Sequence, residues 1–419
     1  MRIRYLLFSL LVSMSCAAIS AYAQQTSPDP QAQTPQTATP SSSEQQGQAP
    51  PAAPATPQPL PNPTMTAPLQ TAAPPHTFSA GPFGTIAVTG ILSGMGLTQS
   101  NYVPASGNKP TDWDLSNGQI FLQKTTGWWQ FYLQGGAYNL PDLGVPFIRT
   151  GDTLNQFYGP LPVGYLKLVK GNFNVEIGEL PTLIGAEYTF SFENMNIERG
   201  LLWNQENAIS RGVQVSDTFK KLSLTASWND GFYSNRYNWI TGTVAYAFNS
   251  SNTLSFIGGG NVGQTPYGSV ATPFLQNNGA IYDVIYTYSH GNWMITPYYQ
   301  YTHVPTNTKL GILESGSTSG GALLLNYNFK HGISLAVRPE YITSNGSAKD
   351  PNSLNLLGYG AGSNAFAFTV TPTYQKGGFF LRGDLSVVDA RSFTPGFVFG
   401  PLGLKGTQTR GVVEAGFLF

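Results

Sequence analysis

Charge is scarce in this chain. Of 419 residues, 21 are Lys or Arg and 21 are Asp or Glu, so 10% carry a formal charge, against about 25% in an ordinary soluble domain. A nucleic-acid-binding surface needs a basic excess that is absent here, so no nucleic-acid partner is expected. Cysteine is nearly missing. Cys16 stands alone, which excludes a disulfide framework. Long hydrophobic runs are missing too. A helical membrane protein needs several uncharged stretches of about 20 residues. One apolar run occurs, at the N-terminus, and the mean hydropathy is −0.12. Disorder throughout is excluded by what is abundant, 7 Trp, 22 Tyr and 25 Phe, because such side chains can bury a core. Thr, Ser, Asn, Gln, Gly and Tyr stand where charge would be.

Residues 1–23 read as a secretory signal peptide. Arg2 and Arg4 form the positive start, an apolar stretch follows, and Ala21-Tyr22-Ala23 is an A-x-A site with cleavage expected after Ala23. An uncleaved anchor is the alternative. A lipid-attached Cys16 fits less well, because Ser13 stands where that motif prefers Leu. Cleavage removes the only cysteine and two arginines, leaving 19 basic residues against 21 acidic ones. Residues 24–77 hold 14 of the 31 prolines, no Phe, Tyr or Trp, and two charges, Asp29 and Glu44. Nothing there can bury a core, so a disordered, partly polyproline linker is expected.

From Phe78 to Phe419 the period is two. Leu222, Leu224, Ala226 and Trp228 alternate with Ser223, Thr225, Ser227 and Asn229. Phe366, Phe368, Val370, Pro372 and Tyr374 alternate with Ala365, Ala367, Thr369, Thr371 and Thr373. Alternation places one set on each side of a sheet, here an apolar face and a polar, rarely charged one. Sixteen such runs are predicted, at about 83–96, 113–123, 128–138, 163–170, 173–180, 210–219, 222–230, 239–248, 252–263, 279–290, 293–303, 317–329, 332–342, 365–376, 379–390 and 409–419. Their connections alternate as well. KTTG, KGN, FKK, NSS, HGN, FKHG and QKGG are short, while the others are long and rich in Gly, Ser, Asn and Pro.

Short turns at one end and long loops at the other mark a bacterial transmembrane barrel. In hydrocarbon every backbone N–H and C=O needs a protein partner, and only a closed antiparallel ring supplies one to every strand. The fold class expected for 78–419 is therefore an all-β transmembrane antiparallel β-barrel of about sixteen strands, preceded by the Pro/Gln-rich segment. Sixteen strands enclose an aqueous channel, so the inner face is expected to be wet. Trp128, Trp129, Trp228, Trp239, Trp293, Tyr341, Phe379 and Phe419 lie near strand ends, where interfacial girdles belong. Pro297, Pro339 and Pro372 fall inside strands and suggest bulges. The last strand, TRGVVEAGFLF, ends on Phe419. It resembles the C-terminal signal by which such barrels engage the barrel-assembly machinery.

Selectivity is expected in the third long loop, 181–209. It carries Glu187, Glu193, Glu198, Arg199 and Glu206, with Arg211 just beyond, a dense group for so uncharged a chain. Folded into the lumen, it would form a constriction. Left outside, it would be a solvated loop. By parity Lys167, Glu176, Asp283, Arg338, Glu340, Arg382, Asp384, Arg410 and Glu414 also line the pore, four basic and five acidic, a mixture that suits a weakly selective channel.

At this loop the chain resembles a known family. GAEYTFSFENMNIERGLLWNQENAISRGVQV, followed by WNDGFYSNRYNWITG, is similar to the OmpL-like β-barrel porin family of bacterial outer membranes. The resemblance implies a pore-forming protein of the Gram-negative outer membrane. It brings no catalytic residues.

Other chemistry fits poorly. Gly258, Gly260 and Gly263 form GxGxxG, but QTPYGSVATP follows and forbids the helix that a dinucleotide fold requires. The glycines more naturally end a strand. The four histidines have no metal-ligand spacing, and only His303 lies where a barrel hydrolase would need its base. No enzyme, cofactor or metal is expected. The function read from the sequence is a porin for passive diffusion of small hydrophilic solutes and ions, with trimers compatible. The alternatives are an anchoring or adhesion barrel whose loops or Pro-rich segment bind a partner, and a substrate-specific channel, for example for sugars, which a line of lumen aromatics would support; Phe121, Tyr132 and Tyr298 are too scattered in the sequence to establish one.

Overall fold

In the computed structural model the described residues are Leu69, 75–105 and 107–419. The signal peptide and most of the Pro-rich segment lie outside them. Within 24–77, Leu69 is buried, and His76 and Thr77 belong to a short strand, β1 (His76–Ser79).

The alternating runs form sixteen long strands: β2 (Thr85–Gln99), β3 (Thr111–Lys124), β4 (Trp129–Tyr138), β5 (Val163–Lys170), β6 (Phe173–Pro181), β7 (Ile209–Phe219), β8 (Leu222–Asn229), β9 (Trp239–Asn249), β10 (Asn252–Asn261), β11 (Ala280–His290), β12 (Trp293–Val304), β13 (Gly316–Asn328), β14 (Ile333–Ser344), β15 (Asn364–Lys376), β16 (Phe379–Arg391) and β17 (Thr407–Leu418). Each pairs antiparallel with the next, and β17 returns to β2 in the register Leu418↔Ile91 to Arg410↔Gln99. The ring is closed and leaves no edge. Beyond Ile91 the flank of β2 is taken over by β1, in the register His76↔Val88 to Ser79↔Thr85. Among the described residues no helix is long and apolar enough to cross a membrane. The strands, of 8 to 15 residues, are suited to cross it instead.

Burial is reversed relative to a soluble protein. Leu385, Val413 and Phe417 are 63%, 55% and 56% exposed, while their neighbours Asp384, Glu414 and Arg382 are nearly inaccessible. Apolar side chains outside and polar ones inside suit a lipid exterior. Trp228 and Trp293 stand exposed on that exterior, but Trp239 does not join the girdle. Ile240 takes the outer face, so alternation turns Trp239 inward, where its Nε1 donates to Asn277 O at 3.0 Å.

The three prolines correct the expectation of bulges. Pairing with one neighbour lapses at each of them. β11 and β12 pair at Ile285↔Tyr298 and resume at Tyr288↔Ile295. β13 and β14 pair at Ala322↔Glu340 and resume at Leu325↔Val337, and β15 and β16 at Val370↔Leu385 and Thr373↔Arg382. The register is unchanged across every gap, because the missing N–H removes a hydrogen bond without adding a residue. Register shifts occur elsewhere, at Ser93/Gly94 and Asn252/Thr253. Gly258 and Gly260 lie near the end of β10, as the strand reading expected, and no helix follows directly.

The seam closes on Phe419. Its N–H and C=O pair with Gly90 at 3.0 and 2.8 Å, and its ring lies where Gly90 has no side chain. A Cβ there would come within 2.4 Å of the ring. Gly90→Val should therefore lower barrel stability by about 1–2 kcal/mol, read from urea unfolding in vesicles, and Phe419→Ala in the same chain should recover part of the loss. Wild-type stability of the single variant would show that the ring does not help close the seam.

Candidate functional site: the loop inside the barrel

The connection from β6 to β7 enters the lumen. From Leu180 to Ser210 every residue is buried except Ala186, which is half-buried. The neck is pinned by Thr182, whose N–H and hydroxyl donate to Ala208 O (3.1 Å) and Asn207 O (2.7 Å). From there the segment reaches the inward residues of β3, β11, β12 and β14 to β17, which only a path through the interior allows.

Its apolar residues explain half of this entry. Leu183, Ile184, Leu201 and Leu202 share a buried cluster with Ile257, Ile281 and Ile285 of the wall. Phe190 and Phe192 stack at 6.0 Å, and Phe192 lies 5.7 Å from Phe121. Tyr138 meets Phe190 edge-on at 5.1 Å. The interior is therefore partly filled by the chain itself, a correction to the wholly wet inner face expected of sixteen strands.

The other half is the backbone, which is irregular and needs partners. The wall charges supply them. Asp283 on β11 accepts from Gly185 N at 3.0 Å. Asp384 on β16 accepts from Ile197 N and Glu198 N, both at 2.9 Å. Glu340 on β14 accepts from Leu201 N at 2.7 Å. Three arginines serve the carbonyls. Arg338 donates to Glu198 O at 2.8 Å, and Arg382 to Asn194 O and Ser191 O at 3.0 and 2.9 Å. Arg410 donates to Asp142 O at 2.6 Å, in the neighbouring loop.

Ion pairs tie the same groups together. Arg338 pairs with Glu187, Arg410 with Glu198 at 3.0 Å and Arg382 with Glu414 at 2.5 Å. Arg199 pairs with Asp142 at 2.8 Å and lies 4.7 Å above the Trp203 ring. Glu193 caps its own helical turn, Ser191–Glu193, by accepting from Phe190 N at 3.0 Å. Lys167 and Glu176 pair at 2.8 Å on the inner wall of β5 and β6. Thus fourteen of the fifteen residues expected at the pore lie inward.

Arg211 does not. It shares the parity of Val213 and the exposed Val215, opposite Glu179, so it faces outward at the long-loop rim. There it pairs with Asp230 at 2.9 Å and stacks 3.9 Å over Tyr233. Asp142, Gln300 and Ser191 belong to the inner network but went unnoticed. Nothing local marks them, since their partners are distant in sequence.

One corner is rich in carboxylates. Glu187, Glu206, Asp283 and Glu340 gather near Arg338, and Gln300 Nε2 donates to Glu206 Oε1 at 2.6 Å. Burial, with Asp283 and Glu187 nearby, raises the Glu206 carboxyl well above the usual carboxylate range. In the adjoining loop, burial lifts Asp142 to about 6 despite Arg199. No group of three or more His, Cys, Asp or Glu suited to a metal occurs among the described residues. Phe121, Tyr132 and Tyr165 do form a row on adjacent strands, spaced 6.4 and 5.7 Å. It is buried, with Phe192 packed against it, so it holds the loop and offers no open surface to a sugar.

A closed sixteen-stranded barrel, apolar outside and polar within, with a long loop drawn into its lumen, is the architecture of an outer-membrane porin. The chain belongs to the family described as "Putative beta-barrel porin-2, OmpL-like", whose model matches residues 85–419. Its fold is similar to that of outer-membrane-expressed OmpT of Vibrio cholerae, at TM-score 0.54 and 11% identity over 82% of this chain and 100% of the other. A trimer form of in-vitro folded OmpT gives TM-score 0.52 and 10% identity, over 80% and 99%. Salmonella typhi OmpF, in complex with daunomycin, gives TM-score 0.50 and 12% identity, over 80% and 98%. No curated protein matches the sequence.

Arg338→Ala strands Glu187 and Glu340 without their cation. A loss of about 3–5 kcal/mol is expected, measured as urea unfolding in vesicles. An unchanged midpoint would mean the network does not hold the fold. Glu206 gives a pH test. Its carboxyl is raised in the folded state, so its stabilising contribution is present in acid and is lost as pH rises through the folded value. Hydrogen exchange within 182–208, taken relative to the intrinsic amide rate at each pH, should accelerate from pH 5 to pH 8. Glu206→Gln should flatten that rise and stabilise the loop at pH 8 by about 1–2 kcal/mol. An equally steep rise in the variant would assign the pH dependence to other groups.

Proposed function

We propose that the barrel is a weakly selective channel for passive diffusion of small hydrophilic solutes and ions, driven only by their gradients, without enzymatic activity. One observation carries this reading. The loop engages the charged wall of β11 and β14 to β17 and packs on β10 near its long-loop end, whereas toward the short turns the inner faces of β7, β8 and β10 present small neutral hydroxyls. Ser216, Thr218, Ser223, Thr225 and Thr253, toward the short-turn end, are partly exposed and uncharged. Fixed charge beside a permeating ion creates selectivity. Here the inner charges are held in ion pairs or in hydrogen bonds to the loop, and the neutral arc is left for solutes. Glu187, Glu193, Glu198, Arg199 and Glu206 then shape the constriction by holding the loop, not by meeting ions directly.

The same proposal places the chain in a Gram-negative envelope. Residues 1–23 direct export and are cleaved after Ala23. The strand ending at Phe419 engages the barrel-assembly machinery. Residues 24–77 space the barrel from the rest of the envelope. The trimer form of OmpT supports a homotrimer as the working assembly.

Planar-bilayer recording tests the channel. Refolded protein should give stepwise ohmic openings with a cation-to-anion permeability ratio within about threefold of unity. Replacing 186–203 by a short Gly-Ser bridge should raise the step size at least about twofold. A folded but silent barrel would favour the anchor reading, and strong ion selectivity would overturn the neutral path.

A further inference from the structure

The two rims differ in charge. The long-loop rim mixes signs, with pairs such as Arg149–Asp112 and Arg391–Asp389. The short turns do not. Lys170, Lys220, Lys221, Lys330 and Lys376 all stand exposed there, as do His290 and His331. Among the described residues, Asp217 is the one outward-facing carboxylate near these turns, and its Oδ1 accepts from Thr218 N at 2.7 Å.

Parity decides where Lys170 and Lys376 point. Lys170 continues the outward series of Leu166 and Leu168, opposite Phe173. Lys376 continues that of Tyr374, opposite Phe379. Lys124, one turn away, shows the depth of this rim. Its ammonium lies 4.1 Å over the Trp129 ring and donates to Thr126 O and Trp129 O at 2.6 and 2.5 Å. Exposed aromatics stand on the lipid face at this end, including Phe219 at 57% and Phe417 at 56%. Such a girdle marks the membrane–water interface. Lys170 and Lys376 stand just beyond it and face away from the lumen, while Lys220, Lys221 and Lys330 sit in the hairpin turns themselves, Lys221 donating to Phe248 O at 2.6 Å.

We infer that the short-turn rim is a docking belt for anionic phospholipid headgroups in the leaflet it faces. Short turns of such barrels lie on the periplasmic side, so that leaflet is the periplasmic one. An ammonium is a compact charge with three donors, suited to a phosphate oxygen. Lys170 and Lys376 point into the lipid, and the turn lysines at the hairpin tips lie within a long side chain's reach of the same headgroups. The inference rests on the membrane-spanning reading and is independent of conduction.

Quenching of tryptophan by brominated lipid tests it. In a chain carrying Trp113→Phe and Trp228→Phe, the exposed indoles left are those of the short-turn rim. The barrel is refolded into phosphatidylcholine vesicles containing brominated phosphatidylglycerol or brominated phosphatidylcholine. At low salt the anionic lipid should bind about fivefold more strongly, and the preference should fall toward unity in molar salt. Changing Lys170, Lys220, Lys221, Lys330 and Lys376 together to Gln should abolish it, with heat-shifted gel mobility confirming the folded barrel. Equal quenching by both lipids in the unaltered belt would overturn the inference, as would a preference that survives the five changes or resists salt. Absent lipid preference, combined with lysine-dependent sedimentation on purified cell-wall sacculi, would assign the belt to wall carboxylates instead.

Discussion

An irregular backbone at membrane depth must find hydrogen-bond partners inside the protein, and the inner organisation of this barrel follows from that requirement. The strands meet it by pairing around a closed ring. The β6–β7 loop cannot, because its helical turns are only three residues long. It draws on the wall instead. Carboxylates of Asp283, Asp384 and Glu340 accept its N–H groups, and guanidinium groups of Arg338 and Arg382 donate to its carbonyls. Charged side chains make stronger hydrogen bonds than neutral ones, and an arginine serves several acceptors at once. This accounts for charged residues collecting on the inner face of so uncharged a chain.

The charges that look suited to conduction are thereby occupied in structure. A buried pair repays its desolvation only when its geometry is good and its remaining valences are filled. Arg338 and Arg382 meet that condition in large part, each bridging a carboxylate and loop carbonyls while its Nε is left without a hydrogen bond. The corner of Glu187, Glu206, Asp283 and Glu340 meets it less fully, with several carboxylates sharing Arg338. There the balance shifts toward the protonated form of Glu206. Stability and proton binding are coupled at the point where the loop is anchored, whatever passes beside it.

The wall was legible in the sequence because parity is a local property. Val163–Lys170 has the ends expected of it, and the other strands differ by three residues or fewer. Parity also identified the inward charges, since Asp384 and Glu414 alternate with Leu385 and Val413. The expectations fail where position along the strand is weighed in place of parity. A place at a strand end suggests the girdle for Trp239, and a place just past the loop suggests the pore for Arg211. Counting from Ile240 and Val215 would have placed both correctly. The prolines misled for another reason. A lost N–H and an inserted residue leave the same trace in sequence, and only the partner strand distinguishes them. The inward path of the loop was left open because its apolar and charged residues suit a mouth as well as a lumen. The choice is made by partners such as Asp384 and Arg410, roughly two hundred residues away.

Two faces of one wall thus obey opposite rules under the same alternation. Inside, charge is drawn to backbone that has nowhere else to bond, and it is neutralised there. Outside, apolar side chains span the middle, and charge survives at the rims, where water and headgroups solvate it. At the long-loop rim both signs occur and pair with each other, as Arg211 does with Asp230. At the short-turn rim lysine is nearly unopposed, so its field is not cancelled within the protein and acts on whatever lies beside it within about 10 Å at moderate salt. A chain with almost no net charge can therefore present a one-signed rim, because many of its acidic residues are bonded in the lumen and the others described lie mostly toward the long-loop end. The interior network and the exterior belt are two consequences of where the carboxylates are needed.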